Sequence, residues 1–391
     1  PEKWRVAANA AKNFIDMCED GSLPHQLLTG SDEENAKGKT YKRVFIEAWN
    51  SELIDAEFPG ANNTYYVYLL EQGPAPNGDR FLNGHATNCA TQFQVDAYAM
   101  ENGRYPITGY NNDGSPVIDE ESGYTESGFS TFTVPTFDLD YKGFTSEMFN
   151  MYKNREPRFY ASIAGDRMYW QRGLNTQNRD NNLLVQAHKG EIPWGTQKDV
   201  IVSNDYQNIS GYWLKKWIYS WIPTKMYYQG ITNETMAVLR LSEVYLMQAE
   251  AWNEYLESPD EEHVYKPLDK VRVRAGILPV QEAWKNYSLN PGKVDTKEGM
   301  RDIIRQEYNI EFAFEGHRYW NIRRWMTAQQ EMNGKAYGWN ILGTTASTFY
   351  NNENGPVEVG RSYKFIAPRD YFTPFKAEEI LISGMKQNPG W

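Results

Sequence analysis

Two glutamates one helical turn apart, Glu307 and Glu311, are the residues of this 391-residue chain whose spacing most invites a chemical interpretation. They share a predicted helical stripe with the apolar residues Ile303, Ile304, Ile310 and Phe314. Two carboxylates on a buried stripe repel each other and cost free energy unless cations meet them. The next predicted helix, beyond a turn at Gly316, supplies Arg318, Arg323 and Arg324. We therefore expect these five charged residues to form structural ion pairs that hold the two helices together.

A metal site is the alternative interpretation of Glu311, Glu315 and His317. Helical metal sites place their ligands at i and i+3 or i+4 on one face. Glu311 and Glu315 have this spacing, but His317 follows the predicted helix break. An ion-pair or capping role is the better interpretation, and we predict no metal ligands and no cofactor.

Two aspartates in the segment TFDLDYKG, Asp138 and Asp140, have the spacing of a possible catalytic pair. Residues at i and i+2 on a strand point to one face, and glycoside hydrolysis uses two carboxylates about 5 Å apart or farther. Such pairs are also common in turns and loops. We predict no catalytic residues, with a glycoside hydrolase as an alternative.

The oxygen-rich segment NNDGS at 111–115 has the composition of a turn. It lacks the later bidentate glutamate and the fixed spacing of a calcium loop. A turn is the expected structure, and calcium binding stays open. The chain contains no Walker loop, HExxH or GxSxG motif.

Aromatic residues make up 15% of the chain, and many lie in segments rich in Gly and Asn rather than in periodic ones. Sugar rings stack on flat aromatic faces, and amide or carboxylate groups bind their hydroxyls. Six aromatic residues beside such polar groups are our candidate ligand-binding residues: Trp170, Trp194, Tyr206, Trp221, Tyr227 and Tyr228. Packing inside a loop core is the alternative for each. We assign Trp213 and Trp217 to the core, and Trp320 and Trp325 to a helical scaffold.

Helical periodicity is strong near both ends of the chain. It predicts helices over 2–19, 236–255, 262–275, 297–314 and 317–327, and a mixed helical and extended segment over 41–55. The helix at 236–255 is apolar almost all round, which indicates burial between neighbours. Helical pairs about sixty residues apart are typical of tetratricopeptide-like hairpins.

The middle of the chain lacks this periodicity. Short apolar runs and turn signals in this region predict one short helix over 90–100 and short strands over 130–134, 160–164 and 212–218. We expect a mainly α fold with a helical scaffold (1–55 and 236–327), an irregular ligand-binding lobe with short strands (56–235) and an irregular, extended tail (328–391). Long aperiodic segments in compact proteins are usually functional.

The overall composition excludes some classes of function. A net charge of −11 argues against a nucleic-acid partner. The chain contains no run of 18 apolar residues, so no membrane-spanning helix is predicted. Cys18 and Cys89 lie far apart, so two free, buried thiols are expected. The chain starts at Pro1 without Met or a signal peptide, so we expect a fragment or processed chain whose N-terminal part is absent.

Seven segments, in order, resemble the SusD/RagB-like family of outer-membrane nutrient-binding lipoproteins from Bacteroidetes. They are ATQFQVDAYAM (90–100), YKNREPRFYASI (152–163), GYWLKKW (211–217), LRLSEVYLMQAEAWNE (239–254), LDKVRVRAGI (268–277), FEGHRYW (314–320) and QNPGW (387–391). Each is a weak pattern alone, but their agreement in order covers nearly the whole chain.

The resemblance implies tetratricopeptide-like hairpins beside an irregular lobe that carries a glycan site. It implies a non-catalytic protein of polysaccharide utilisation, held at the cell surface by an N-terminal lipid anchor. It also implies a partner, a SusC-like TonB-dependent transporter that receives the oligosaccharide or other nutrient. A pure protein-interaction scaffold is a further alternative. The family's N-terminal portion has no counterpart here, and the identity of the glycan stays open.

Overall fold

A computed structural model describes residues 2–57, 88–137, 143–172, 182–191, 208–217 and 236–391. Its α-helices are α1 (Glu2–Glu19), α2 (Asp32–Ala36), α3 (Lys39–Ile46), α4 (Gln92–Asp96), α5 (Pro157–Ser162), α6 (Leu241–Tyr255), α7 (Lys266–Arg274), α8 (Val280–Tyr287), α9 (Lys297–Glu311), α10 (His317–Arg324), α11 (Ala328–Glu331), α12 (Ala346–Phe349) and α13 (Ala377–Ser383). The fold is mainly α, as predicted.

Short strands pair antiparallel in twos within the described ranges. The pairs are β1 (Leu53–Glu57) with β10 (Met236–Arg240), β2 (Ile107–Tyr110) with β3 (Pro116–Ile118), β4 (Phe129–Pro135) with β5 (Gly143–Phe149), β6 (Ile163–Ala164) with β9 (Trp213–Leu214), β7 (Tyr169–Arg172) with β8 (Asn182–Leu184), and β11 (Gly334–Gly338) with β12 (Val357–Tyr363). Each of these sheets has only two strands, so none forms a layer of the fold.

Helix α6 is the centre of the helical scaffold. It packs against α1, α7 and α9, and its buried residues lie on several faces. The apolar pattern therefore correctly indicated a helix between neighbours. The small residues Ala8 and Ala11 of α1 are buried, which allows α1 to pack closely against α6.

The ends of the scaffold helices follow local sequence signals. The Thr296 side chain accepts a hydrogen bond from the Gly299 N–H and so caps the start of α9. Gly316, at φ +85°, precedes α10 in the left-handed conformation that glycine adopts without strain. The predicted turn at Gly316 is confirmed.

Three regions of the expected secondary structure differ in the structure. Residues 236–240 form strand β10 instead of the first turns of α6, because β1, nearly 200 positions earlier, pairs with their backbone. Residues 157–162 form helix α5, with Pro157 at its first position, where a proline costs no hydrogen bond. Only Ile163–Ala164 is extended there. The strand expected over 212–218 is shorter, at Trp213–Leu214.

The tail is more regular than predicted. Strands β11 and β12 pair with each other, and residues expected to be extended form α13. Gly384, at φ +68°, ends that helix in the left-handed conformation. The tail prediction missed the pairing because residues 339–356 separate its two strands.

A buried ion cluster joins the scaffold to the lobe. Its side chains, each at most 4% exposed, are Glu52, Glu156, Glu307, Glu311, Glu315, Arg158, Lys216, Arg240, Arg272 and Arg274. Five negative and five positive charges balance one another. Burial alone would raise the pKa of Glu311, but Coulombic attraction by Arg274, Arg240 and Arg158 lowers it well below its usual value.

The partners of Glu307 and Glu311 differ from those expected from the sequence. Their carboxylates meet Arg158, Arg272, Arg274 and Arg240, which come from α5, α7 and β10. Arg318 instead pairs with Glu331, Arg324 pairs with Glu250 at 2.7 Å, and Arg323 lies over the Tyr319 ring. The reason is that the glutamate face of α9 is turned toward α7 and the lobe, away from α10.

Candidate functional site

A groove of about 1500 Å³ lies between the scaffold and the part of the lobe around α4 and the β2–β3 hairpin. Helices α8, α9 and α10 supply one wall, and strand β11 closes one end. It is lined by aromatic side chains interspersed with amides, which is the composition of a small-molecule binding site.

Three aromatic rings, Phe93, Tyr110 and Tyr337, form a platform at one end of the groove. The Phe93 ring centroid lies 4.7 Å from that of Tyr110 and 5.8 Å from that of Tyr337, both in edge-to-face contact. Phe93 and Tyr110 are 39% and 42% exposed. Each partly exposed ring can offer its own face to a ligand, and because the rings hold one another in place, this costs little further entropy.

A chain of hydrogen bonds anchors the platform to the core. The Tyr110 hydroxyl donates to Asp96 Oδ2 at 3.0 Å, and Gln92 donates to Oδ1 of the same carboxylate at 2.7 Å. Tyr212 in turn donates to Gln92 Oε1 at 2.5 Å. Burial raises the pKa of Asp96 to about 6, although these hydrogen bonds oppose that rise.

Tyr337 is positioned by the turn that connects β2 and β3. Its hydroxyl donates to the Asp113 carbonyl oxygen at 2.9 Å, and its ring lies against Gly114. A Cβ at Gly114 would come within 2.3 Å of the Tyr337 hydroxyl oxygen, and the backbone there has φ +86°. Glycine is required here by both the close approach and the left-handed conformation.

A second pair of rings, Tyr105 and Trp284, lines the groove elsewhere. Their centroids lie 5.8 Å apart, with the planes inclined by 38°. Lys293 lies 5.4 Å above the Trp284 ring and pairs with Asp302 at 3.3 Å. Amide side chains of Gln94, Gln306 and Asn309 also line the groove.

The arrangement suits a neutral, hydroxyl-rich ligand. Rings at two places can stack on apolar faces, while amides can donate and accept hydrogen bonds. The cations that line the groove among the described residues are already paired with carboxylates: Lys293, Arg104, Arg318 and Lys335. A strongly anionic ligand would have to compete with these ion pairs.

Of the six aromatic residues predicted to bind ligand, the structure describes only Trp170, which does not line this groove. Trp170 is 5% exposed and lies in the larger hydrophobic cluster. The other five, Trp194, Tyr206, Trp221, Tyr227 and Tyr228, lie outside the described residues, as do Asp138 and Asp140. Their predicted roles stay predictions.

The other assignments from the sequence are placed as follows. Trp213 and Trp217 are in the core, as predicted. Trp325 packs against the scaffold core, whereas Trp320 on α10 is 68% exposed. His317 Nε2 lies 3.0 Å from Glu243 Oε2, so His317 pairs with Glu243 and not with Glu311.

The predicted turn is confirmed, and the prediction of two buried free thiols is correct except for the burial of Cys89. Residues 111–115 form a turn in which Asp113 accepts hydrogen bonds from the backbone N–H and hydroxyl of Ser115. Both cysteines are free thiols, with Cys18 buried and Cys89 half-buried. Within the described ranges, no helix is both long and apolar enough to cross a bilayer.

The sequence analysis missed the groove aromatics because they are brought together from distant positions. Phe93, Tyr110, Trp284 and Tyr337 span almost 250 residues. The one local signal was the turn sequence NDG between two short extended runs, which is typical of a hairpin and places Tyr110 beside its turn.

A comparison with protein-family models decides the relationship of this chain to known proteins. The model described as the SusD family matches residues 57–391. The chain belongs to the SusD family. The family predicted from the seven segments is therefore confirmed, whereas a search of curated proteins finds no match.

Solved structures of SusD-like proteins have the same fold. A SusD-like protein from Bacteroides fragilis is 22% identical with a TM-score of 0.62, over 100% of this chain and 64% of its own. A SusD-like carbohydrate-binding protein from the same organism is 19% identical, with a TM-score of 0.63, over 97% and 60%. The protein BT4246 is 17% identical with a TM-score of 0.73, over 100% and 65%. The chain thus spans less than two thirds of the length of these structures.

Proposed function

We propose that this SusD-family chain is a non-catalytic nutrient-binding protein that binds an oligosaccharide in the groove between scaffold and lobe. The observation that carries the proposal is the Phe93–Tyr110–Tyr337 platform, with a second ring pair and amides in the same groove. One structure similar to this chain is described as a carbohydrate-binding protein, which supports the same class of ligand.

The cellular role follows as part of the proposal. The bound oligosaccharide is handed to a SusC-like TonB-dependent transporter in the outer membrane, and a lipid anchor outside the present sequence holds the protein at the cell surface. The helical scaffold around α6 offers the rigid body that such docking needs. The predicted division into scaffold, lobe and tail belongs to this proposal as well.

Binding to a glycan panel, followed by calorimetry with the best ligand, tests the site. Replacing Tyr110 or Trp284 with alanine removes a stacking surface and should weaken binding about tenfold, or about 1.4 kcal/mol. Trp4→Ala is the matched control, because Trp4 is 39% exposed on α1 and lies outside the groove. Full affinity in both groove variants would refute the groove as the site.

Two further measurements test the rest of the proposal. Long incubation of the protein with the bound glycan should release no reducing ends, and release would establish a glycoside hydrolase instead. Co-purification with a large outer-membrane β-barrel should accompany expression in the native cell. A full-length protein that never co-purifies with such a barrel would refute delivery to a transporter.

A further inference from the structure

One histidine and two carboxylates lie close together in the lobe. None of the three is among the described residues that line the groove. Asp166 follows β6, and His188 and Glu191 lie in a turn after β8. One potential ligand atom from each residue lies within 4.8 Å of the other two. Asp166 and His188 are 1% and 5% exposed, and Glu191 is half-buried.

Backbone hydrogen bonds orient both carboxylates. Asp166 Oδ1 accepts from the Ala187 N–H at 2.8 Å, which leaves Oδ2 turned toward the His188 ring. Glu191 Oε2 accepts from the His188 N–H at 3.1 Å. Carboxylates that bind metals are commonly held in this way by hydrogen bonds outside the metal site.

The His188 ring nitrogen Nε2 is the group that points to a ligand. It lies 3.0 Å from Asp166 Oδ2, yet this contact does not have the angles of a hydrogen bond, and Nε2 has no other hydrogen-bond partner among the described residues. A buried ring nitrogen without a hydrogen bond costs free energy. Two ligand atoms about 2.1 Å from one ion, 90–110° apart, would be separated by about 3.0–3.4 Å. The separation of Asp166 Oδ2 and His188 Nε2 fits that geometry. Glu191 Oε2 lies 3.5 Å from the other ring nitrogen, Nδ1, so the Glu191 carboxylate would have to turn to reach the same ion.

Arg167 is the competing cation at this cluster. Its Nη2 lies 2.5 Å from Glu191 Oε1 and 3.1 Å from His188 Nδ1, and its Nε lies 3.6 Å from Asp166 Oδ2. The guanidinium offsets one of the two carboxylate charges, which leaves the cluster at −1 when the imidazole is neutral. The Arg167 side chain is 27% exposed, so a metal ion can displace it toward solvent without burying it elsewhere.

We propose that Asp166, His188 and Glu191 form a binding site for Zn²⁺, with a water molecule in the remaining position. One imidazole nitrogen with two carboxylate oxygens is a ligand set that zinc accepts, whereas calcium prefers oxygen ligands alone. The ion would join the turn at 188–191 to the connection between β6 and β7. This inference does not depend on the proposed saccharide binding.

Calorimetric titration of chelator-treated protein with zinc chloride tests the site, with thermal unfolding in parallel. The expected result is one zinc ion per chain and a melting temperature that rises with zinc concentration. His188→Gln, which removes the ring nitrogens, and Asp166→Asn, which removes the charge but keeps the side-chain shape, should each weaken binding about tenfold or more. His263→Gln is the control, because His263 pairs with Asp260 at a more exposed position.

The variant Arg167→Met separates a zinc site from a purely structural ion cluster. Removing the competing cation should tighten zinc binding by several-fold, whereas an ion cluster without metal would only lose stability. The proposal is overturned if the native protein binds no zinc, if Asp166→Asn and His188→Gln both bind it unchanged, or if Arg167→Met binds it more weakly. Circular dichroism confirms that each variant is folded before titration.

Discussion

Replacing Glu311 with glutamine removes one negative charge from the centre of the buried ion cluster while keeping the shape of the side chain. Glu311 meets Arg274 at 2.5 Å, Arg240 at 2.7 Å and Arg158 at 3.1 Å, and all four side chains are at most 4% exposed. The variant leaves the cluster with one uncompensated positive charge, and the glutamine NH₂ group faces guanidinium donors.

The expected loss of stability in Glu311→Gln follows from the burial of the ion cluster. Removing one partner of a buried ion pair costs about 3–5 kcal/mol, because the remaining charge stays desolvated without a counter-ion. Total folding stabilities are about 5–15 kcal/mol, so this one change should remove a large fraction of the free energy of unfolding. Arg240 also contacts Glu52 and Glu315, so those pairs offset part of the loss.

Urea denaturation followed by tryptophan fluorescence and circular dichroism measures the effect. Glu358→Gln is the control, since the Lys335–Glu358 pair at 2.5 Å has side chains 53% and 45% exposed. Loss of an exposed pair should cost less than about 1 kcal/mol. The reasoning would be refuted if Glu311→Gln cost no more than this control.

A double-mutant cycle provides a second check on the same cluster. If the cost arises from an uncompensated guanidinium, then Glu311→Gln combined with Arg274→Met should cost less than the sum of the two single changes. Strictly additive costs would mean that the two residues do not interact energetically, in conflict with their 2.5 Å separation.

The remaining predictions concern pH, backbone conformation and packing. Burial raises the pKa of Asp96 from 3.8 to about 6, so its contribution to stability is present below pH 4 and is lost as the pH rises through 6. Asp96 alone should account for a loss of about 3 kcal/mol over that window, and urea denaturation of Asp96→Asn beside the native protein should show this difference in slope. Gly276→Ala should lower the melting temperature more than Gly384→Ala. Both residues have positive φ, but only at Gly276 would a Cβ meet a backbone oxygen, that of Asn35, at 2.0 Å. Equal shifts in melting temperature would contradict the predicted clash. Leu246→Ala in the scaffold core should cost about 2–5 kcal/mol in the free energy of unfolding, whereas Leu289→Ala, at a position 60% exposed, should cost about 0.5 kcal/mol or less; similar losses would contradict the assignment of Leu246 to the core.

The helical part of the fold was largely predictable because its signals are local. Helix α1 has the predicted bounds, and α7, α9 and α10 start within four residues of prediction. Each carries its own apolar stripe and its own end signals, such as Thr296 before α9. The first five residues of the 236–255 prediction failed because β1, distant in sequence, competes for their backbone hydrogen bonds.

The candidate site was hardly predictable for the opposite reason. Composition indicated aromatic recognition, but the predicted binding residues all lie between positions 170 and 228, and they do not include Phe93, Tyr110 or Tyr337. These rings come from α4, β2 and β11, and only folding brings them into contact. No periodicity or motif links position 93 to position 337.

The sequence by itself determined the family, the mainly α class and the positions of most scaffold helices, because these depend on short-range patterns of apolar, capping and turn residues. It also showed that Glu307 and Glu311 needed cations. Tertiary structure alone decided that these cations are Arg158, Arg240, Arg272 and Arg274, and which aromatic rings face a shared groove. Charge pairing and ring contacts depend on distances between residues far apart in the chain, and those distances exist only once the chain has packed.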